Sequence, residues 1–230
     1  MNKTIPLLSL LFISSANASS APDFASFTDV NEKKMAFFSY LAPMIEAENK
    51  KILEDRGVLI LGQDKDSIQR ICEEYSSNCN PVSQDKKLEL LNKVDVIPPA
   101  LVLAQAANES AWGTSRFAKQ ANNYFGQWCF TKGCGLVPAR RDSGATHEVR
   151  RFSSVDASVS SYMMNLNTNR AYEELRQERA FEREAGTPIN AQEMAKGLSQ
   201  YSSRGMDYVE EITAMIEYNK LEEKYPLHAQ

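Results

Sequence analysis

Apolar residues recur at intervals of three and four through most of this chain, the spacing of helices that bury one face. Met35, Phe38, Ala42, Ile45 and Ile52 share a face of a first helix running to about Asp55, with Asp29 and Glu32 forming a capping box at its start. Pro43 is a point where that helix can bend, and Val58 to Leu61 reads as a separate short apolar piece. Further helices are expected over 64–76 and 84–93, joined by a loop that holds Cys79 and Asn80-Pro81. At Pro98-Pro99 the pattern changes. Proline suits the first turn of a helix, and Ala100 to Ala107 is apolar on every side, which predicts a helix buried all round and ending by Gly113. Thr114 or Ser115 can cap a short helix through Gln120. From 122 to 150 the period is lost and Gly126, Gly133, Gly135, Pro138 and Gly144 crowd in, as in a loop-rich lobe with room for a small hairpin. Helical spacing returns at 155–167, 170–184, 191–201 and 207–223, the last two opened by Asn190…Glu193 and Asp207…Glu210. The expected class is mainly α, with one irregular lobe beside the helices.

Residues 1–18 stand apart from this pattern. Lys3, the apolar stretch Ile5 to Ile13 and the small-residue site Ala16-Asn17-Ala18 read as an export signal, so the protein is expected in the periplasm or outside the cell. That stretch is too short to span a bilayer and no later run of about 20 apolar residues follows, so stable membrane insertion is not expected. Residues 19–27 are small and mixed and read as a loose tail. A formal charge of −4 leaves no long-range basic field, which argues against nucleic acid as the bulk partner. Export also changes how the four cysteines are read. They permit three connectivities. In an oxidising compartment the local bridges Cys72–Cys79 and Cys129–Cys134 are favoured. A four-cysteine metal site would need tighter spacing, and two histidines, His147 and His228, are few for a catalytic zinc; no metal or organic cofactor is expected.

Glu109 is the sharpest chemical feature. It ends an alanine-rich apolar helix, where apolar surroundings and the negative end of the helix dipole both favour the protonated carboxyl. Such a group can donate a proton to the leaving oxygen of a glycosidic bond. On composition alone, a cap or an ion pair at the helix end is the commoner use of such a residue.

The surrounding motifs change that balance. Residues 98–126, PPALVLAQAANESAWGTSRFAKQANNYFG, resemble the glucosaminidase family known as glycoside hydrolase family 73, where a helix ends in Glu-Ser-x-Trp-Gly and an Asn-Asn-x-Phe-Gly turn follows. Phe152-Ser153-Ser154…Ser158-Val159 and Gly197-Leu198-Ser199-Gln200-Tyr201…Tyr208-Val209 resemble later stretches of that family, and the THEV segment and lobe cysteine pair are shared with its Bax-type members. The resemblance spans roughly 95–220. It divides the chain into a signal (1–18), a helical extension (19–94) that packs on the core or covers the cleft, and a glucosaminidase domain (95–224). It implies a lysozyme-like helical domain with its lobe beside a cleft, Glu109 as general acid, and Tyr201 near the reacting sugar. Tyr208 is the second choice for that tyrosine's place, with core packing as its ordinary use. Trp112, Asn123, Tyr124, Phe125 and Trp128 are expected, with Tyr208, on the substrate side.

The second acid is less marked. Glu148 aligns loosely with a second glutamate of the family, Asp142 and Asp156 lie near, and the substrate's own N-acetyl group can serve instead. Arg140, Arg141, Arg150 and Arg151 flank the lobe and can meet the carboxylates of wall peptides. The expected activity is therefore an endo-β-N-acetylglucosaminidase acting as a monomer on peptidoglycan glycan strands. Two other readings remain: a non-catalytic wall-binding or morphogenesis module, and a cysteine-dependent wall peptidase or amidase built on Cys129 or Cys134 with His147.

Overall fold

The fold is organised around its most apolar segment. In a computed structural model describing residues 21–76, 79, 82–139, 141 and 144–228, helix α4 (Pro99–Glu109) buries every residue from Pro99 to Ala107. Residues 1–18, read above as an export signal, and Asn80-Pro81, Arg140 and Asp142 lie outside the described residues. Helix α1 (Val30–Leu61) packs on α4, as do α8 (Ala191–Ala195), α9 (Met206–Tyr218) and α10 (Leu221–Lys224), while α6 (Val155–Thr168) lies against α1. The peripheral helices are α2 (Lys65–Tyr75), α3 (Gln84–Lys93), α5 (Arg116–Ala121) and α7 (Glu173–Ala185). Among the described residues no helix is long and apolar enough to cross a membrane.

Helix α1 is longer than its pattern suggests. Asp29 accepts from the backbone N–H groups of Asn31 and Glu32, and Gly62, at φ +69°, ends the helix. The segment Val58–Leu61 continues it rather than standing apart, because Leu59 falls seven residues after Ile52 and both are buried. Met35 is 59% exposed, and Phe37, Phe38 and Leu41 make the buried face in its place. The expected loose tail is docked instead: Phe24 is buried against Phe37 and Tyr40, with ring centroids 5.3 and 6.0 Å away. One hydrophobic core draws on both sides of residue 94, so the extension packs on the core.

The lobe is a three-stranded antiparallel sheet rather than a single hairpin. Strand β3 (Glu148–Arg150) lies in the middle and pairs with β1 (Trp128–Cys129) and β2 (Gly135–Leu136), with Trp128 and Leu136 both opposite Val149. Gly135 makes the close pairing possible, since a Cβ there would stand 1.9 Å from the Val149 carbonyl oxygen. A disulfide joins Cys129 to Cys134 beneath the tip, and Cys72 is bridged to Cys79. Helix α9 starts at Met206 after Gly205 (φ +56°), which puts Asp207 inside the first turn and not at the cap the sequence pattern suggested.

Just before α4 lies a buried ionic staple. Arg183 grips both oxygens of Asp95 at 2.7 Å, and Arg56 from α1 stands 3.5 Å from the same carboxylate. Arg179, wholly buried, donates to the carbonyls of Asn92, Asp95 and Val96 and to Asn167. The staple ties α1, α6 and α7 to the start of α4, which fixes the helix that carries Glu109.

Candidate active site

Glu109 is the last residue of α4, and the chain turns sharply after it. Ala111, Trp112 and Gly113 follow in left-handed conformation, at φ +51°, +59° and +74°. For residues with a Cβ this backbone costs roughly 1–3 kcal/mol each, so the surroundings must hold the turn. Several contacts do so. The Ser110 hydroxyl accepts from the Gly113 N–H at 2.7 Å, and the Trp112 N–H reaches back to the Ala107 carbonyl at 2.9 Å. The Phe24 ring lies where a Cβ of residue 113 would be. Trp112, expected on the substrate side, is instead packed edge-on against Phe37 and Phe38 at 5.6 and 5.3 Å, with the Lys34 ammonium over its ring. Its indole holds the turn to α1.

The Glu109 carboxyl sits in a chain of buried hydrogen bonds. Tyr208 on α9 donates to its Oε1 at 2.9 Å, the Gln105 amide donates to the Tyr208 oxygen at 3.1 Å, and Tyr162 on α6 donates to the Gln105 carbonyl oxygen. Burial raises the pKa of Glu109 above its ordinary value. The Tyr208 bond opposes the rise, the charge of Glu211 adds to it, and Arg204, itself 2.7 Å from Glu211, opposes it. Gly126 (φ +65°) passes close by; a Cβ there would stand 3.4 Å from Glu109 Oε2.

The two tyrosines stand differently toward that carboxyl. Tyr208 touches the acid, whereas Tyr201 stacks on Tyr208 at 5.2 Å and donates its hydroxyl to the Phe125 carbonyl at 2.8 Å. Gln105 and Tyr162 were not anticipated. A signal for Gln105 exists, because it is a lone polar residue in a buried apolar run, four positions before Glu109 and so on the same helix face.

The Asn-Asn-x-Phe-Gly turn points inward, a second departure from expectation. Asn123 donates to the Gln127 and Arg150 carbonyls at 2.9 and 2.8 Å and accepts from the Phe125 and Gln127 N–H groups, so its side chain organises the turn. Phe125 stacks on Tyr162 at 4.0 Å, and Tyr124 lies near Phe37. Both rings are 2% exposed and offer no face to a ligand. Trp128 differs: it is 58% exposed, lies two residues beyond Gly126, and stacks on His147 at 3.9 Å.

Glu148, the loosely expected second acid, lies in the middle strand of the lobe. Its two oxygens accept from the Gly133 and Gly135 N–H groups at 2.9 and 2.8 Å, which clamps the lobe and holds its carboxyl below the ordinary range. Two of the lobe arginines are likewise engaged, Arg141 with the His147 carbonyl and Arg151 with that of Gln120, while Arg150 lies over the Phe152 ring. All four cysteines are bridged, which removes the thiolate that a Cys–His peptidase requires and overturns that reading.

Comparison with known proteins bears on this arrangement. The family model described as mannosyl-glycoprotein endo-beta-N-acetylglucosaminidase matches residues 85–221, so the match takes in nearly all of α3, Asp95 and the arginines of α7 as well as Glu109 and its hydrogen-bond partners. The chain is 34% identical over 218 residues to Protein bax of Escherichia coli (strain K12), covering 90% of this chain and 77% of that protein. No solved structure matches it.

Proposed function

This chain belongs to the mannosyl-glycoprotein endo-beta-N-acetylglucosaminidase family, and on that premise we propose that it is an exported peptidoglycan hydrolase that cuts glycan strands at internal N-acetylglucosaminyl bonds. The observation that carries this reading is the desolvated Glu109 carboxyl, held by Tyr208 and turned toward a residue without a side chain. Glycoside cleavage needs a carboxyl that keeps its proton near neutral pH and gives it to the leaving oxygen. Burial supplies the first condition. Tyr208 supplies a second, because its bond strengthens when the carboxylate forms and so stabilises the charge left after transfer. Trp128 offers an aromatic face to a sugar ring at the edge of the lobe. No metal or organic cofactor enters this reading.

One observation favours a second reading. Glu148, the expected partner of Glu109, spends both oxygens on backbone N–H groups of the lobe. A site whose expected second carboxylate is tied to the lobe backbone fits a wall-binding module, unless the substrate's N-acetyl group acts as nucleophile.

The experiment that separates them is digestion of purified peptidoglycan by the chain from residue 19 onward and by its Glu109→Gln variant, with products identified by mass spectrometry. Glutamine keeps the size of the side chain and cannot donate the proton. Fragments with a reducing N-acetylglucosamine end, absent with the variant, support the hydrolase. Equal activity from both, or released peptides, refutes it. Wall binding by both folded proteins without cleavage moves the assignment to the binding module.

A further inference from the structure

Gln105 has one available orientation. Its side chain is wholly buried between two tyrosines, and so is the ring of Tyr162. The Tyr162 hydroxyl donates to Gln105 Oε1, while Gln105 Nε2 donates to the Tyr208 oxygen at 3.1 Å. Turning the amide over would aim an N–H₂ at the Tyr162 oxygen and strand the Tyr162 hydroxyl hydrogen in the core. A buried donor left without a partner costs about 1–3 kcal/mol, so the amide is locked. The consequence passes along the chain. The Tyr208 oxygen already accepts from Gln105, and its hydrogen is aimed at Glu109 Oε1, 2.9 Å away. Oε1 is thus an acceptor in both states of the acid. The proton held by Glu109 rests on Oε2, the oxygen beside Gly126, where the missing Cβ leaves room for a substrate atom.

We propose that Gln105, oriented by Tyr162, is a positioning residue that directs the Tyr208 hydroxyl and so places the acid proton of Glu109 on Oε2. The proposal deepens the reading of Glu109 as general acid and rests on it. Other groups facing this carboxyl are Glu211 on α9, Arg204 in the loop before it, and the hydroxyls of Tyr162, Tyr172 and Tyr201, whose own ionisation the charge of Glu109 disfavours. None of these donates to Oε1; Tyr208 does.

The test titrates Glu109 by carboxyl ¹³C NMR in the native chain, in Gln105→Met, in Tyr208→Phe and in the double variant. The rate of wall digestion against pH is followed alongside. Gln105→Met/Tyr162→Phe, which removes the stranded hydroxyl as well, replaces Gln105→Met if the latter does not fold. Tyr208→Phe removes the bond to the carboxylate and Gln105→Met frees the Tyr208 hydroxyl to turn, so each single variant is expected to raise the titration midpoint, by about 1 pH unit for Tyr208→Phe. The double variant shifts it no further than Tyr208→Phe, because Gln105 acts on the carboxyl only through that hydroxyl. In digestion, the alkaline limb moves upward in step, and the rate at saturating substrate falls. An unshifted midpoint in Gln105→Met beside a raised one in Tyr208→Phe, or shifts that add, overturns the proposal. A native chain that cuts no wall sinks the hydrolase reading, while the titration still decides the role of Gln105.

Discussion

The turn after Glu109 depends on a contact from the far end of the chain, and Gly113→Ala tests it. An ideal Cβ at 113 would stand 2.3 Å from Cδ2 and 2.8 Å from Cε2 of Phe24, a ring boxed in by Phe37 and Tyr40. Two costs follow. An L-residue at φ +74° costs roughly 1–2 kcal/mol. Expelling the Phe24 ring forfeits about 2–3 kcal/mol of burial. Gly113→Ala should therefore destabilise the fold by about 3–5 kcal/mol, read from urea unfolding midpoints at constant m-value. The informative measurement is the same change in a Phe24→Ala background. With the ring gone, only the backbone cost of about 1–2 kcal/mol should remain, a coupling of about 2 kcal/mol between residues 89 apart in sequence. Equal costs in the two backgrounds would show that Phe24 does not seat against the turn. Because Glu109 precedes Gly113 by four residues, wall digestion should fall together with stability in the single variant.

Three further outcomes follow from the charged groups. Burial raises the pKa of Glu109, so folding takes up a proton between its unfolded and folded values, and the carboxylate costs stability above them. Glu109→Gln should raise the Tm at pH 8, with the gain vanishing below about pH 4; a gain independent of pH would refute this. Asp95 is the opposite case: burial pushes its pKa up, but Arg183, Arg179 and Arg56 together hold it below the ordinary value, so its contribution is present above the unfolded value and lost as pH falls through the folded one. Asp95→Asn should cost about 3–5 kcal/mol at neutral pH by leaving Arg179 buried without its counter-charge, and the loss should shrink in acid. Glu148→Gln leaves one acceptor oxygen for two backbone donors, so amide exchange at Gly133 and Gly135 should quicken; slower wall digestion with unchanged exchange would instead assign Glu148 to the chemistry.

Much of the fold is local, and local rules predicted it. Asp29, Ser115 and Asn190 cap their helices because a side-chain oxygen two or three residues from a free N–H needs no help from elsewhere. Pro99 and the apolar run behind it mark α4 as the buried helix, and a carboxyl ending such a run stands out for the same reason. Close spacing favoured the two short disulfides, as did the expectation of export. Those features are set by neighbours in the chain. The partners of that carboxyl are not. Tyr208 meets Glu109 across 99 residues, Gln105 meets Tyr208 across 103, and Tyr162 meets Gln105 across 57. Which of two tyrosines seven apart points at the acid depends on how α9 lies on α4, and no periodicity specifies that. The inward turn of Tyr124 and Phe125, the docking of Phe24, and the capture of Glu148 by Gly133 and Gly135 are decided the same way. Local pattern was enough for most of the helices, several of their caps and the standing of the Glu109 carboxyl; packing between distant segments decided where α1 ends, how the lobe pairs and what surrounds that carboxyl, because contact across the core depends on the crossing of whole helices and not on the residues beside each contact.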